Sequence, residues 1–404
     1  MKNMQHKAWL AGFILLLGCQ PPGLNKDGSP RFVAQERDLI FSLSPLAEPP
    51  ANPSNRWADD PQAAHLGQYL FYEPRLSVNG QLSCASCHNP GLGWSDARPV
   101  AVGLGTGTRN SPSLWNVAQQ RWLFWDGRSD SLWSQAIQPL ESPLEMGHPR
   151  ADVYALFQRE ADLKAGYEAV FGPLPPNTPA GIDRFISHMG KALEAFQRRI
   201  RSGESPFDRF ARALRQQDLP AADAALSVEA QKGLRLFIGR GQCILCHSGP
   251  HFSDGEFHNL GLPRRPGQPE DPGRFAGIAA LKRDPLNALG AYSDLPANDT
   301  WADKLRYVVQ QPENQGEFKT PGLREVAQTG PYMHDGRFDT LEQVIAFYST
   351  VGREPAALGR REDTLQPLNL NAEEIAQLAA FLRSLSSGPP EAALTQQPKS
   401  VVFE

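Results

Sequence analysis

Two CxxCH units, CASCH at 84–88 and CILCH at 243–247, use four of the five cysteines in this chain of 404 residues. This spacing is the attachment signal for c-type haem, in which two thiols bind the vinyl groups and the adjacent histidine reaches the iron. A disulfide, a zinc site and a thioredoxin-like motif are the competing interpretations. Because the unit occurs twice and is followed by histidine each time, we expect two covalently bound haem c groups. The predicted haem-binding residues are Cys84, Cys87 and His88 in the first unit and Cys243, Cys246 and His247 in the second.

The N-terminus, MKNMQHKAWLAGFILLLGCQ, has the pattern of an export signal. Two lysines precede an apolar run that is too short to span a bilayer. The residues at 16–19, LLGC, resemble a bacterial lipoprotein cleavage box, so residues 1–18 are predicted to be removed and Cys19 to be lipidated. A plain signal peptide cleaved nearby is the alternative. Either way, we expect a periplasmic protein; if Cys19 is lipidated, that lipid anchor is its only contact with a bacterial membrane.

The formal net charge of −4 and the absence of a basic run argue against nucleic acid and against polybasic contact with a membrane. The apolar content of 40% is sufficient for an ordinary core. After the signal is removed, the chain is still long enough for two domains.

Helical patterns dominate the chain and strand signals are few. Helices are predicted over 59–72 and 183–201, after Ser227, and after Asn371, which pairs with Glu374 as a capping box. Residues 262–318 are rich in Pro, Gly and Asp and predict a long loop. Asp339 with Glu342 predicts one more helix start, followed by an apolar face of Leu341, Val344, Ile345 and Tyr348.

We therefore predict a mainly α protein with two cytochrome c-like domains, each holding one haem c. Residues 203–226 are interpreted as the domain junction, and no repeat longer than the haem motifs is evident. The predicted segments are a signal peptide (1–18), a tether and N-terminal arm (19–56), a first haem domain (57–226), a second haem domain (227–385) and a loose tail (386–404).

Two longer segments, at 109–147 and 318–336, are highly specific. They read RNSPSLWNVAQQRWLFWDGRSDSLWSQAIQPLESPLEMG and FKTPGLREVAQTGPYMHDG. Together with the two haem motifs in this order, they resemble the bacterial dihaem cytochrome c peroxidase and MauG family over about residues 57 to 385. The resemblance implies an enzyme that reacts with hydrogen peroxide at the first haem.

The resemblance also assigns residues around the first haem. Glu145 matches the distal glutamate, Gln135 matches the distal glutamine, and Pro139 lines the same pocket. Many family peroxidases carry a histidine on a nearby loop, where this chain has Leu104. The first iron is therefore expected to keep an open coordination position, unless His148 or Met146 folds in as a ligand.

Trp125 matches the tryptophan that lies between the two haems in this family. Tyr348 stands where the peroxidase branch has the methionine ligand of the second haem, and MauG-like proteins place a tyrosine there. A phenolate is a hard, anionic ligand that favours high oxidation states, whereas a thioether raises the reduction potential. The family also binds one calcium ion, for which Asn110, Thr329 and Pro331 are the matching positions.

The expected function is MauG-like. Peroxide would form a high-valent dihaem state that oxidises a tryptophan on a small exported partner protein. The residues of the motifs are most similar to those of the MbnH branch, whose members convert a tryptophan of the copper protein MbnP to kynurenine. The alternatives are a cytochrome c peroxidase that takes electrons from a small cytochrome, and a non-enzymatic dihaem electron carrier.

Overall fold

The computed structural model describes residues 25, 28–296, 298–351, 356 and 358–403. The predicted signal peptide and Cys19 lie outside these residues. No described helix is both long and apolar enough to cross a bilayer.

The chain folds mainly into α-helices, as predicted, with one antiparallel pair of two-residue strands, β1 (Phe257–His258) and β2 (Phe318–Lys319). The described helices are α1 (Ala34–Ser42), α2 (Pro61–Phe71), α3 (Cys84–Cys87), α4 (Leu132–Glu141), α5 (Arg150–Arg159), α6 (Ala161–Phe171), α7 (Pro179–Gln197), α8 (Pro206–Arg215), α9 (Leu219–Ala225), α10 (Val228–Ile238), α11 (Arg274–Arg283), α12 (Asp303–Arg306), α13 (Leu341–Thr350) and α14 (Ala372–Arg383).

Two hydrophobic cores lie beside the two haem motifs. The first is built mainly by α2, α4, α5, α6 and α7, and the second mainly by α1, α8, α10, α13 and α14. In each core the helix that precedes the haem motif crosses a long helix at a glycine. A Cβ atom at Gly67 would lie 1.9 Å from the Ala192 carbonyl oxygen, and one at Gly233 would lie 2.0 Å from that of Gln377. Only glycine permits backbones to approach this closely.

Three segments pack differently from the sequence-based expectation. Residues 203–226, interpreted as a junction, contain α8 and α9, and the Phe207 and Phe210 side chains of α8 are buried in the second core. Residues 386–404 are not a loose tail, because Leu394 and Val401 are buried in the first core. The predicted long loop contains α11. Proline and glycine near helix ends marked these segments as irregular, although their apolar residues have distant partners in the fold.

Helix α13 begins one residue later than predicted. Thr340, rather than Asp339, is the N-cap: its hydroxyl accepts a hydrogen bond from the Gln343 backbone N–H at 3.2 Å. The predicted face is present, with Leu341 and Ile345 buried and Val344 and Tyr348 half-buried. The predicted caps at Ser227 and Asn371 are both confirmed, as the N-caps of α10 and α14.

An internal repeat joins the two halves, so the expectation of no longer repeat is wrong. Each half contains the same elements at the same spacing. A residue with positive φ precedes a 3-10 turn (Val117–Gln119 or Val326–Gln328), and a β-bridge and then a core helix come after it. The triplets VAQ at 117–119 and 326–328, and DGR at 126–128 and 335–337, mark this repeat in the sequence. It aligns α4 with α13, and therefore Pro139 with Tyr348.

Candidate active site

The first cavity, of about 450 Å³, is lined by Cys84, Cys87 and His88. Helix α3 is a single turn that holds the two thiols, and the backbone N–H of His88 donates to the Cys84 carbonyl at 2.9 Å. His88 Nδ1 lies 3.2 Å from the Trp94 carbonyl oxygen. A donor at Nδ1 leaves Nε2 as the atom available to iron.

The same cavity is lined by the predicted distal residues. Gln135 and Pro139 reach the cavity from α4, and Glu145 from the loop that follows. Gln135 Oε1 is buried without a hydrogen-bond partner among the described residues. A buried amide oxygen needs a donor, which a ligand in this cavity would provide. The residue types and the unpartnered oxygen therefore fit a haem with a small polar ligand.

The loop where many relatives have a histidine stays on the surface. Leu104 is 39% exposed and does not line the cavity. Its backbone N–H donates to the Glu145 carbonyl at 3.0 Å, which fixes the loop against the distal wall. His148, one alternative ligand, does not line the cavity, and its Nδ1 lies 3.3 Å from the Leu76 carbonyl. Met146, the other alternative, is buried and does line it.

The second cavity, of about 550 Å³, is lined by Cys243, Cys246 and His247 and by Tyr348 from α13. His247 Nδ1 lies 2.9 Å from the Phe252 carbonyl oxygen, which repeats the arrangement at His88. Met333 also lines this cavity, but it lies on the loop before α13 and not at the peroxidase position. The cavity therefore presents an imidazole and a phenol, which fits a second haem c.

The internal repeat explains why the two cavities differ. Pro139 of α4 and Tyr348 of α13 occupy equivalent positions, and each lines the cavity of its own half. Proline has no atom that can bind iron, whereas tyrosine offers its hydroxyl oxygen. The same backbone therefore presents a non-ligating ring at the first site and an oxygen donor at the second.

Trp125 lines both cavities. Its indole N–H donates to the Asn110 carbonyl at 2.9 Å, and its own carbonyl accepts from the Lys319 N–H at 2.8 Å. One hydrogen bond thus joins Trp125 to its own half of the chain and the other to the second half. Trp125 therefore borders both cavities, and its role as an electron relay stays a prediction.

The three predicted calcium ligands, Asn110, Thr329 and Pro331, all line the second cavity. The Asn110 side-chain nitrogen donates to the Arg98 carbonyl at 2.8 Å, so its Oδ1 is the atom left for a cation. An amide oxygen with backbone carbonyls is a donor set that suits calcium. The calcium site remains a prediction.

Three histidines in the second cavity were not anticipated from the sequence. His334 stacks on Phe318 with ring centroids 3.6 Å apart, and burial lowers its pKa to about 4. His258 lies 2.8 Å from both Asp254 and Glu362, and the bond to Asp254 is the main reason that its pKa is raised to about 11. Neither nitrogen of His251 has a partner among the described residues. No spacing pattern in the sequence connects these three residues.

Burial sets the charge of the predicted iron ligands. It lowers the pKa of His88 and of His247, so both imidazoles are neutral and able to bind a metal. Burial raises the pKa of the Tyr348 phenol. A phenolate at this position therefore requires a positive charge beside it.

Comparison with known proteins agrees with this geometry. A family model described as di-haem cytochrome c peroxidase matches residues 61–216. Cytochrome-c peroxidase IdrP1 of Denitromonas iodatirespirans is 35% identical over 354 residues, which cover 86% of this chain and 87% of that protein. The methylamine utilization protein MauG of Methylorubrum extorquens is 34% identical over 355 residues, which cover 87% and 85%. The chain belongs to the dihaem cytochrome c peroxidase and MauG family.

Solved structures extend the likeness to the fold. A MauG-like protein associated with microbial copper homeostasis superposes with a TM-score of 0.62 at 29% identity, covering 87% of this chain and 95% of that one. The diheme peroxidase BthA of Burkholderia thailandensis gives 0.65 at 25% identity, covering 94% and 98%. As a member of this family, the protein is a haem c-containing oxidoreductase that uses peroxide.

Proposed function

We propose that this protein uses hydrogen peroxide to oxidise a tryptophan on a small exported partner protein. Tyr348 supports this assignment most directly: it lines the second cavity, to which His247 also belongs, at the position of the peroxidase methionine. Bound haem would supply the chemistry, because peroxide removes two electrons from the haem pair, which then removes two electrons from an indole. The remaining steps depend on side chains of this chain.

At the first site, Glu145 lines the cavity and would move a proton between the two oxygens of a peroxide. Gln135 offers an amide that would orient the same molecule, and Pro139 has no atom that could bind the iron of a bound haem. General acid–base catalysis of this kind contributes roughly 10²- to 10⁴-fold to a rate. The three residues thus prepare the open site for peroxide.

At the second site, Tyr348 would bind iron through its oxygen. Because burial raises the pKa of this phenol, the phenolate forms only beside a cation, which ferric iron provides. An anionic oxygen ligand stabilises the oxidised metal. Trp125, which lines both cavities, would carry electrons between the sites, and calcium at Asn110, Thr329 and Pro331 would fix the loops around it.

The partner is proposed from the likeness to the MauG-like protein associated with copper homeostasis. A small exported copper protein of the MbnP type, with conversion of its tryptophan to kynurenine, fits that likeness. Cleavage of residues 1–18 and lipidation of Cys19 would place this protein in the periplasm, where it would meet an exported partner.

The test combines the full-length protein, carrying both haems, with peroxide and a candidate partner, such as a small exported protein with a tryptophan and metal ligands found in a neighbouring gene. We expect a near-infrared band on addition of peroxide, followed by a mass gain on a tryptophan of the partner. Tyr348→Met should abolish the band and lower the yield of modified partner by about 100-fold. If the Tyr348→Met protein kept the near-infrared band and the yield of modified partner, Tyr348 would not be the ligand on which the proposed reaction depends.

A second candidate function is peroxide removal with electrons from a small cytochrome, favoured by the 35% identity to a cytochrome-c peroxidase. Under this function, reduced cytochrome c should be consumed rapidly on addition of peroxide. We expect slow consumption instead, because Tyr348 replaces the methionine that would keep the second haem at a high potential.

A further inference from the structure

The tryptophans of this protein fall into two electrostatic classes. All of the eight except Trp9 lie in the described part of the chain. Four of these seven have a lysine or arginine over the ring. The pairs are Trp57 with Arg56 (4.1 Å), Trp122 with Arg274 (4.4 Å), Trp133 with Lys191 (5.5 Å) and Trp301 with Lys304 (4.0 Å).

A cation over an indole opposes oxidation of that indole. The neutral ring attracts the cation, but a ring that has lost an electron is itself positive and repels it. The four covered tryptophans are therefore poor electron donors. Repulsion between two positive charges is strongest where water is excluded, as it is at Trp122 and Trp133, which are 3% and 0% exposed.

The other three tryptophans, Trp94, Trp115 and Trp125, have no such cation over their rings among the described residues. Two arginines near Trp125 are engaged elsewhere. Arg109 lies over Phe318 at 5.6 Å, and Arg128 lies over Phe124 at 3.4 Å.

Two of these three residues line a haem cavity, and the third, Trp94, contacts the proximal histidine of the first site through its backbone. Trp125 lines both cavities, and Trp115 lines the second. The carbonyl of Trp94 faces the proximal His88 at 3.2 Å. The rings of Trp94 and Trp115 meet edge to face, with centroids 6.4 Å apart. The pair therefore spans from the proximal side of the first site to the second cavity.

Trp94 and Trp115 also suit reversible electron transfer. They are 0% and 5% exposed, and neither indole nitrogen has a hydrogen-bond partner among the residues described. With no base to accept the N–H proton, an oxidised ring keeps that proton and remains a radical cation. A single electron then restores it without a proton having to return.

We propose that Trp94 and Trp115 form a second electron route between the two haem sites, beside Trp125, and that the cations over the other four tryptophans exclude those rings from it. The route rests on the proposed function, because only a strongly oxidising haem pair removes electrons from indole. With both haems bound, Trp115 would give one electron to the oxidised second site and would be restored by one electron from Trp94. Trp94 would in turn be restored by one electron from the first site. The partner's tryptophan is the final donor of both electrons.

Without a partner protein, the tryptophans of the route are themselves oxidised. An indole then loses two electrons and two protons and gains one oxygen atom from water, while peroxide takes up the electrons and protons and becomes two waters. The full-length protein with both haems is treated with small additions of peroxide, and its peptides are mapped by mass spectrometry. We expect oxygen on Trp94, Trp115 and Trp125.

Simple accessibility predicts a different pattern, because Trp57 and Trp301 are half-buried while Trp94 and Trp115 are buried. If oxygen collects first on Trp57 and Trp301 while the near-infrared band still forms, the second route is wrong and the proposed function stands. If the band itself does not form, it is the proposed function that fails.

Removing one cation tests whether the positive charge over a tryptophan ring limits the oxidation of that ring. Lys304→Gln should raise oxidation of Trp301 by about tenfold, because the charge 4.0 Å from the ring is lost. Arg306→Gln is the matched control: Arg306 lies on the same helix but binds the Asp299 carbonyl and Asp303 rather than a ring. Circular dichroism and haem content establish that both variants are folded. Equal oxidation of Trp301 in both variants would overturn the electrostatic explanation.

Discussion

At the scale of single residues, the chemistry of the two sites depends on one aligned pair. Pro139 and Tyr348 come from equivalent helices of a repeated unit and line equivalent cavities. Under the proposed function, Pro139 leaves a coordination position open at the first site, and Tyr348 fills the equivalent position at the second. Exchanging the residue type should therefore change the coordination state without a new fold.

Pro139→Met is expected to close the first site. The thioether would start from the position that Tyr348 has in the second half, and it binds haem iron readily. Replacing proline inside α4 also restores a backbone N–H to the helix, so the change is compatible with the fold. The resting protein should become low-spin by electron paramagnetic resonance, and reaction with peroxide should slow by about 100-fold or more.

The control for this change is Pro139→Ala, which restores the same N–H but supplies no ligand. It should stay high-spin and keep its reaction with peroxide within about threefold of the parent protein. A high-spin Pro139→Met protein would mean that the two helices do not present their side chains to the two irons in the same way.

Residue identities of this kind were accessible from the sequence because the motifs are contiguous. The two CxxCH units, the residues from Gln135 to Glu145, and Tyr348 could each be located by spacing and resemblance. His251 and His258 could not, because their relation to the second cavity arises from loops that meet only in the folded chain.

At the scale of elements, a short hairpin controls the position of Glu145. Residues 102–106 form a turn closed by a bridge between Val102 and Thr106. The N–H groups of Leu104 and Gly105 donate to the carbonyls of Glu145 and Leu144, each at 3.0 Å. The proposed proton-transfer residue is therefore held by this loop as well as by its own segment.

Gly103→Ala is expected to displace Glu145. The added Cβ would lie 2.7 Å from both the Cα and the carbonyl oxygen of Glu145, and backbone atoms cannot yield as a flexible side chain could. Stopped-flow measurement should show the reaction with peroxide slowed by about tenfold to 100-fold, while the first haem remains high-spin.

Gly107→Ala provides the comparison in the same loop. Its added Cβ would lie 3.4 Å from the nearest atom, the Ala101 carbonyl oxygen, which is an ordinary contact. It should react with peroxide at close to the parent rate. If both variants slowed equally, the loop as a whole, rather than the position of Glu145, would be responsible.

The elements also show where prediction from sequence ended. Capping residues located the starts of α10 and α14, because a cap is a local interaction between neighbouring residues. Helix α11 and the packing of α8 were missed, since the surrounding proline and glycine suggested irregular structure. The VAQ and DGR triplets could have revealed the repeat, but only a few of the aligned positions are identical.

At the scale of the whole molecule, each core contains a segment from the far end of the chain. The arm that contains α1 packs into the second core, and the C-terminal segment returns to the first core. Gln68 of α2 donates to the carbonyls of Ala393 and Gln396 at 2.6 and 2.9 Å, which fixes the returning segment. Such contacts between distant parts of the chain carry no local sequence signal, so the domain limits drawn along the sequence cannot represent them.

Leu394→Ala tests whether the returning segment supports the first haem unit. Leu394 is 3% exposed in the first core, so truncation should lower the free energy of unfolding by about 2 to 4 kcal/mol, through lost burial and an added cavity. Leu219→Ala removes the same atoms from a side chain that is 61% exposed and should cost less than about 0.5 kcal/mol. Urea unfolding followed by circular dichroism measures both values. Equal stability of the two variants would mean that the C-terminal segment is only attached to the first core and does not help to hold it together.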